Sequence, residues 1–417
     1  MKLLNISKNI LPLFLIALML SSAIPMMPSD VYAADGDILK YITGFSGSWE
    51  VAFDSANNRM YVTNNNSDTV SVINTSTDAI IATISVGDFP MGIAFDSANN
   101  RMYVTNRDDN TVSVINTSTN VVDATITVGT SPRGIAFDSA NNRMYVTNYS
   151  DQTVSVINTS TNVVDATISP GQNGPHHIAF DSANNRMYVG NVGQNTYSVI
   201  NTSDNSVSNS SNLGASSTRG IAFDSTNNRM YIISESGSKR VSVINTSNPM
   251  VVDSIISLPE SSTRHITFDP AGNRMYISHL TTGKISVINT STNVIDSTIT
   301  LSSWVGGAAF DSANNRMYFA VYGNNKVAVV DVNSVTAPSQ VGTVTITPGT
   351  DTTALSWSAP SDGGSSITDY IIQISPDGTT WNVFSDGTST ATTATVTGLP
   401  KGTAYHFKVA AVNAIGT

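Results

Sequence analysis

Polar and apolar positions repeat along this chain with two periods at once. The short period is two. Val122, Ala124, Ile126 and Val128 share one side of an extended segment, and Asp123, Thr125 and Thr127 share the other. That alternation predicts a strand buried on one face. The long period is set by a Phe-Asp pair that begins at Phe53, Phe95, Phe137, Phe180, Phe223, Phe268 and Phe310, with spacings of 42, 42, 43, 43, 45 and 42. A repeat of this length accommodates four strands and marks propeller blades. In the third repeat the predicted strands are 134–138 (A), 143–148 (B), 153–158 (C) and 163–169 (D). The joints read Ser-Ala-Asn-Asn and Asn-Thr-Ser-Thr, turn formers because Asn and Ser side chains bond nearby backbone. Strands B and C are apolar on both faces, as strands sandwiched between neighbouring blades should be. Strand D has the pattern of an outer strand.

Seven A-B-C sets are present, but only six D strands follow them. The chain leaves the seventh strand C at 326–332 and runs into Ala337-Pro338. The missing strand is predicted at 37–43, ahead of the first blade, where it would tie the two ends of the ring together and remove an open edge. Its register stays open, since Leu39 and Tyr41 or Ile38 and Ile42 would face inward. Residues 341–347 (Val-Gly-Thr-Val-Thr-Ile-Thr) are a rival. They are set aside because Pro338 and Ser339 break the chain and because the next domain needs that strand. The expected fold class is all-β: a seven-bladed β-propeller over 35–335, then a second β domain.

Two resemblances are specific. Tyr-Val-Thr-Asn stands at Tyr61–Asn64, Tyr103–Asn106 and Tyr145–Asn148, and nearly so at Tyr188-Val189-Gly190-Asn191. With the downstream Thr-Val-Ser-Val-Ile-Asn-Thr, this resembles the YVTN β-propeller family. The resemblance implies bacterial or archaeal surface-layer and periplasmic relatives, and it implies architecture more firmly than activity. From 337 the period stops. Trp357, Tyr370, Gly398-Leu399 and Tyr405-His406-Phe407-Lys408-Val409 follow in the order of a fibronectin type III sandwich, which the segment 337–417 resembles. Its last strand is expected to be missing. Ser375–Trp381 lacks one residue of an Asp-box and reads as a hairpin turn.

Composition places the chain outside the cytoplasm. Lys2 and Lys8 precede an apolar run at 10–20, and Val31-Tyr32-Ala33 supplies small residues for cleavage. Residues 1–33 thus read as a signal peptide, and no later stretch is apolar enough to span a bilayer. Charged residues make up 12 % of the chain and cysteine is absent. No disulfide or thiolate site is available. A net charge of −10 excludes the basic face that nucleic acid requires.

Catalytic motifs are absent: no nucleophile elbow, no phosphate loop, no His-Glu-x-x-His. The repeated Asp54, Asp96 and Asp138 read as turn residues, since calcium needs several carboxylates at one point and these are spread round a ring. No metal and no cofactor is expected. The turns joining A to B and C to D are nearly identical in every blade. The B–C and D–A loops vary, and the longest D–A loop is 170–175. Counting four residues back from each Phe gives Trp49, Met91, Arg133, His176, Arg219, Arg264 and Gly306, with Glu50, His177 and His265 one residue on. These converge on one mouth of the channel. Arg binds carboxylate, phosphate or sulfate through two parallel hydrogen bonds, and Trp49 would stack on a sugar face. Alternatively, the arginines pair with neighbouring carbonyls or acids.

Asn-Thr-Ser at Asn74, Asn116, Asn158, Asn201, Asn245 and Asn289 marks candidate glycosylation sites on one face, and Asn65, Asn148 and Asn209 also begin such a tripeptide. The chain is therefore expected to be a secreted or cell-surface binding or scaffold protein and not an enzyme. Its partner would be a surface glycan, an anionic ligand or a protein, and the propeller would be monomeric. The alternatives are a lactonase- or lyase-like enzyme using Glu50, His177 and His265, and a purely structural envelope component.

Overall fold

Each repeat folds as one antiparallel sheet of four strands, because its four apolar runs are joined by turns too short for any other connection. In the computed structural model, which describes residues 36–417 except 172, 210–212, 214–215, 237–238, 333–337, 351, 361–366, 401 and 414–415, there are seven such sheets. The predicted signal peptide at 1–33 and a fibronectin-domain loop at 362–365 lie outside the described residues. In the third blade the strands are Pro132–Asp138, Arg143–Asn148, Thr153–Asn158 and Val163–Ile168. Strand A starts two residues earlier than the sequence predicts, so Arg133 lies within it. The innermost strands touch one another in a closed cycle, the last meeting the first. This is a seven-bladed β-propeller.

The core lies between blades. Strand B presents alternate side chains to its two neighbours, and Met144 and Tyr145 are both fully buried. Tyr61 of blade 1 packs with Met102, Val104 and Ile115 of blade 2, and the pairing recurs round the ring. Each buried side chain of this size contributes about 1.5–3 kcal/mol. Strand D is half-exposed as predicted: Val121 lies open at its start while Ile126 is buried.

The ring closes through its N-terminal strand. Ile38–Thr43 pairs antiparallel with Lys326–Asp331 of blade 7, matching Ile42 with Val327. The question of which side faces inward has a physical answer. Tyr41 packs toward the core shared with blade 6, and Ile42 is buried in the core shared with blade 1. A blade inside a closed ring has no outward face at this depth. The rival segment belongs elsewhere: Thr345–Pro348 pairs with Thr352–Ser356 in the second domain.

The chain divides into two compact units, one of them Gly36–Val332, the other containing Asn333–Thr417. In the second unit two three-stranded sheets enclose Leu355, Trp357, Tyr370, Ile372 and Val396, which makes the predicted Trp and Tyr core residues. His406 is half-buried on a strand. Among the described residues no helix is long and apolar enough to cross a membrane.

Candidate functional site: the channel mouth

At the turn end of each blade the repeated Asp is fully buried. Asp138 Oδ1 accepts N–H groups from Ala140 (2.9 Å) and Asn141 (3.2 Å), and its Oδ2 accepts from Asn141 Nδ2 at 2.8 Å. Asn142 completes the turn with φ of 51°, a left-handed conformation that Asn tolerates better than most residues. The Asx-turn expectation is met, and the structure adds a second role. Asn141 Nδ2 also reaches Thr202 Oγ1 of the next blade at 3.2 Å. Equivalent clasps join Asn57 to Thr117, Asn99 to Thr159, Asn184 to Thr246, Asn227 to Thr290 and, across the closure, Asn314 to Thr75. Between blades 6 and 7 the clasp is missing at both ends: Gly272 stands for the Asn, and Val332 for the Thr. Buried Asp269 Oδ2 has no partner among the described residues, and burial raises the pKa of its carboxyl.

The Thr and Asn of Tyr-Val-Thr-Asn support the other end. Thr63, Thr105 and Thr147 donate their hydroxyl protons to the carbonyls of Met91, Arg133 and His176 in the following blade, at 3.2, 2.9 and 2.8 Å. Ser278 does the same for the Gly306 carbonyl at 2.8 Å, so blades 1, 2, 3 and 6 each pin the following blade's mouth residue. The Asn side chains bond strand C: Asn148 Nδ2 donates to Thr153 and Ser155. His279 holds that position in blade 6, with Nε2 2.8 Å from Ser286 Oγ. It is a replacement for the structural Asn, away from the mouth.

The pairing register slips at the mouth, between Pro132 and Ile135 in blade 3 and at the matching place in blades 1, 2, 4, 5 and 6. Such bulges re-aim side chains. Here they bring Trp49, Glu50, Arg133, His176, His177 and His265 round a cavity of about 90 Å³. Arg219 and Arg264 stand close enough to act on both His176 and His177. All eight residues predicted for the site are therefore in one neighbourhood.

Their pairings depend on glycines. Blade 7 has Gly306-Gly307 where others carry large side chains. A Cβ on Gly306 would collide with the Trp49 carbonyl, and one on Gly307 with Glu50 Oε1. Across this gap blade 6 meets blade 1. The Arg264 guanidinium lies 4.8 Å from the Trp49 ring centre, and His265 Nε2 donates to Glu50 Oε1 at 2.9 Å. Thr267 Oγ1, whose own proton goes to the Ala308 carbonyl, lies 3.3 Å from His265 Nδ1. His177 stacks on His176 at 5.0 Å and reaches His265 at 5.5 Å. His176 in turn meets the edge of Tyr149, over which Arg133 sits at 3.9 Å.

Burial, together with the neighbouring imidazole and guanidinium charges, holds His176 and His177 well below the usual histidine range. Both are neutral at pH 7. Among the described residues the buried Arg133 Nε has no hydrogen-bond partner, and neither ring nitrogen of the buried His176 has one. The expected pairing of Arg133 with carbonyls or acids is replaced by stacking on Tyr149.

The six Asn-Thr-Ser asparagines end strand C, exposed or half-buried, and each Oδ1 accepts the N–H two residues on. Asn65 and Asn148 are corrected: they are 3 % and 0 % exposed, so the folded protein closes them to modification. Sequence reasoning also missed Trp304, on the loop before strand A of blade 7, which is 48 % exposed. The available signal was a large aromatic in a connecting loop.

Residues 336–417 match the Fibronectin type III domain family. No curated protein matches the chain. Among solved structures the chain is similar to one described as Kuenenia stuttgartiensis Hydrazine Synthase, with a TM-score of 0.64 and 16 % identity, covering 70 % of this chain and 97 % of that one. At that identity the likeness is one of fold alone.

Proposed function

We propose that this chain is an extracytoplasmic binding protein of the YVTN-propeller type whose channel mouth takes an anionic group. The observation that carries the reading is the buried, unbonded Arg133 Nε beside unbonded His176, at the wall of a cavity in a protein of net charge −10. A buried guanidinium donor without an acceptor is costly. An incoming carboxylate or sulfate would supply that acceptor, and the acidic surface elsewhere would confine anions to this spot. The neutral His176 offers one donor and one acceptor to the same group. Propellers and fibronectin type III modules both serve binding and scaffolding, and the second unit would act as a spacer. The signal-like residues 1–33 support export, and the Asn-Thr-Ser turns support glycosylation in a host that performs it.

The test is calorimetric titration of the full chain with glucuronate, sulfate and a neutral sugar. Arg133→Ala and Arg264→Ala should each weaken anion binding at least tenfold. If wild-type protein binds none of the anions, the reading fails.

The Glu50–His265 contact favours a second reading, acid–base chemistry at the mouth. A screen for lactone and ester hydrolysis tests it, and Glu50→Gln must abolish any activity found.

A further inference from the structure

The cavity has room for one small charged group and not for the molecule that carries it, so the rest of a ligand must lie on the mouth surface. We propose that the ligand is an anionic oligosaccharide, with its carboxylate or sulfate among the arginines and the adjoining sugar ring on an aromatic shelf formed by Trp304 and Tyr322. This rests on the anion-binding reading and adds a second subsite to it.

The shelf is built from the blade that gives the mouth no side chain. With glycine at 306 and 307, blade 7 gives the mouth no side chain of its own, and Trp49, which lines the cavity, packs against its backbone. The Trp49 ring meets Tyr322 edge-on at 5.3 Å and 84°. Tyr322 opens the short 3-10 turn Tyr322–Asn324 in the B–C loop of blade 7. Trp304 abuts that turn, its carbonyl accepting the Gly323 N–H at 3.5 Å. Arg264, Trp49 and Tyr322 thus make successive ring contacts, and the turn that Tyr322 opens adjoins Trp304.

The shelf is exposed and also held in place. Asn324 Nδ2 donates to Ser302 Oγ at 3.2 Å, and the Ser302 N–H donates to the Tyr41 hydroxyl at 3.1 Å. Gly323 has no side chain because a Cβ there would collide with Ser303 Oγ. A loop fixed at four points that leaves an indole 48 % exposed is arranged for contact with something outside the chain. Among the described residues the other large exposed apolar side chains of the propeller are aliphatic: Ile38, Leu39, Ile81, Val121, Val163, Ile255 and Val294 sit on strands, and Val251 just precedes one. A pyranose presents one face of C–H bonds, which packs on the negative face of an aromatic ring while its hydroxyls stay in water. Holding the ring beforehand lowers the ordering cost of binding.

The experiment titrates the full-length chain with a uronate monosaccharide, uronate di- and tetrasaccharides, sulfated hexose and its disaccharide, and neutral oligosaccharides of the same length. In the wild type an anionic disaccharide should bind at least tenfold more tightly than its monosaccharide, and neutral sugars should not bind. Trp304→Ala should erase the length advantage and leave the monosaccharide affinity unchanged. Trp304→Phe should restore part of it. The uronate and sulfate arms identify the acid. Equal affinity for mono- and disaccharide, or an unchanged ratio in Trp304→Ala, overturns the shelf while leaving anion binding intact. Binding of inorganic sulfate or acidic peptides without any anionic sugar does the same. Absence of all anion binding overturns both. Circular dichroism of each variant checks the fold, and Trp304 is exposed enough for its removal to leave it standing.

Discussion

At one end of strand A the residues Asp54, Asp96, Asp138, Asp181, Asp224, Asp269 and Asp311 are identical and fully buried. At the other end of the same strand the matching positions hold Trp, Met, Arg, His, Arg, Arg and Gly. The difference follows from who the partners are. A turn-end clasp needs an Asn from one blade and a Thr from the next, so every blade must present both halves and none can change alone. The exception supports the rule: at the one junction without the clasp, both halves are replaced together, by Gly272 and Val332. The mouth residues that a neighbouring hydroxyl pins, Met91, Arg133, His176 and Gly306, are held through their backbone carbonyls, which every residue has. Their side chains are therefore free to diverge, and they have.

On this comparison, turn-end side chains stabilise the ring, and mouth side chains cost stability in exchange for a site. The most severe way to break it is Asp138→Ala, which removes a buried carboxylate that accepts three hydrogen bonds. The expected loss is about 3 kcal/mol, read from urea unfolding, with anion affinity unchanged. A loss below 1 kcal/mol would place the stability of the turn elsewhere.

Next in size is the pH response. Burial holds the folded-state pKa of His176 and His177 well below the ordinary histidine range, whereas in the unfolded chain they protonate near 6.5. Below that pH the unfolded state binds more protons, so stability falls as pH drops from about 6.5 through the folded values. The slope approaches about 1.4 kcal/mol per pH unit for each histidine. His176→Leu should remove one share of this slope and raise stability at pH 5.5, because it also removes a buried ring with neither nitrogen bonded. Unfolding midpoints at pH 7.5 and 5.5 decide it, and an unchanged slope in the variant refutes the assignment.

The smallest effect sharpens the contrast at the junction of blades 6 and 7. Gly272→Asn with Val332→Thr should install the missing clasp and gain about 1 kcal/mol beyond the two single variants. Asp269 Oδ2, unbonded among the described residues, would gain a donor. Additive or unfavourable coupling in that cycle would mean the clasp is decoration.

Much of this was legible in the sequence. The period gave the blades, the count of strands gave the closure, and counting back from each Phe found the mouth residues, because a repeat transfers position from blade to blade. Pairing does not transfer in that way. Nothing local joins Glu50 to His265, which come together only because the ring is closed and Gly307 leaves room. The clasp was half legible: Asp and Asn read as a turn, but the Thr they reach lies about sixty residues on. Trp304 escaped notice because loops carry no period.

Closure by Ile38–Thr43 also fixes the order in which the molecule can be completed. Blades 1 to 6 draw on consecutive residues and can form one after another as the chain emerges. The seventh sheet pairs Ile42 with Val327, so the first strand made must wait for the last blade. Contacts so distant in sequence form slowly, and a waiting strand edge invites wrong partners. Lys40, exposed within that strand, is the kind of residue that keeps such an edge soluble. The latch therefore shuts only on a chain synthesised through its seventh blade, and a prematurely terminated product stays an open ring, recognisable to any protease that patrols unpaired strands.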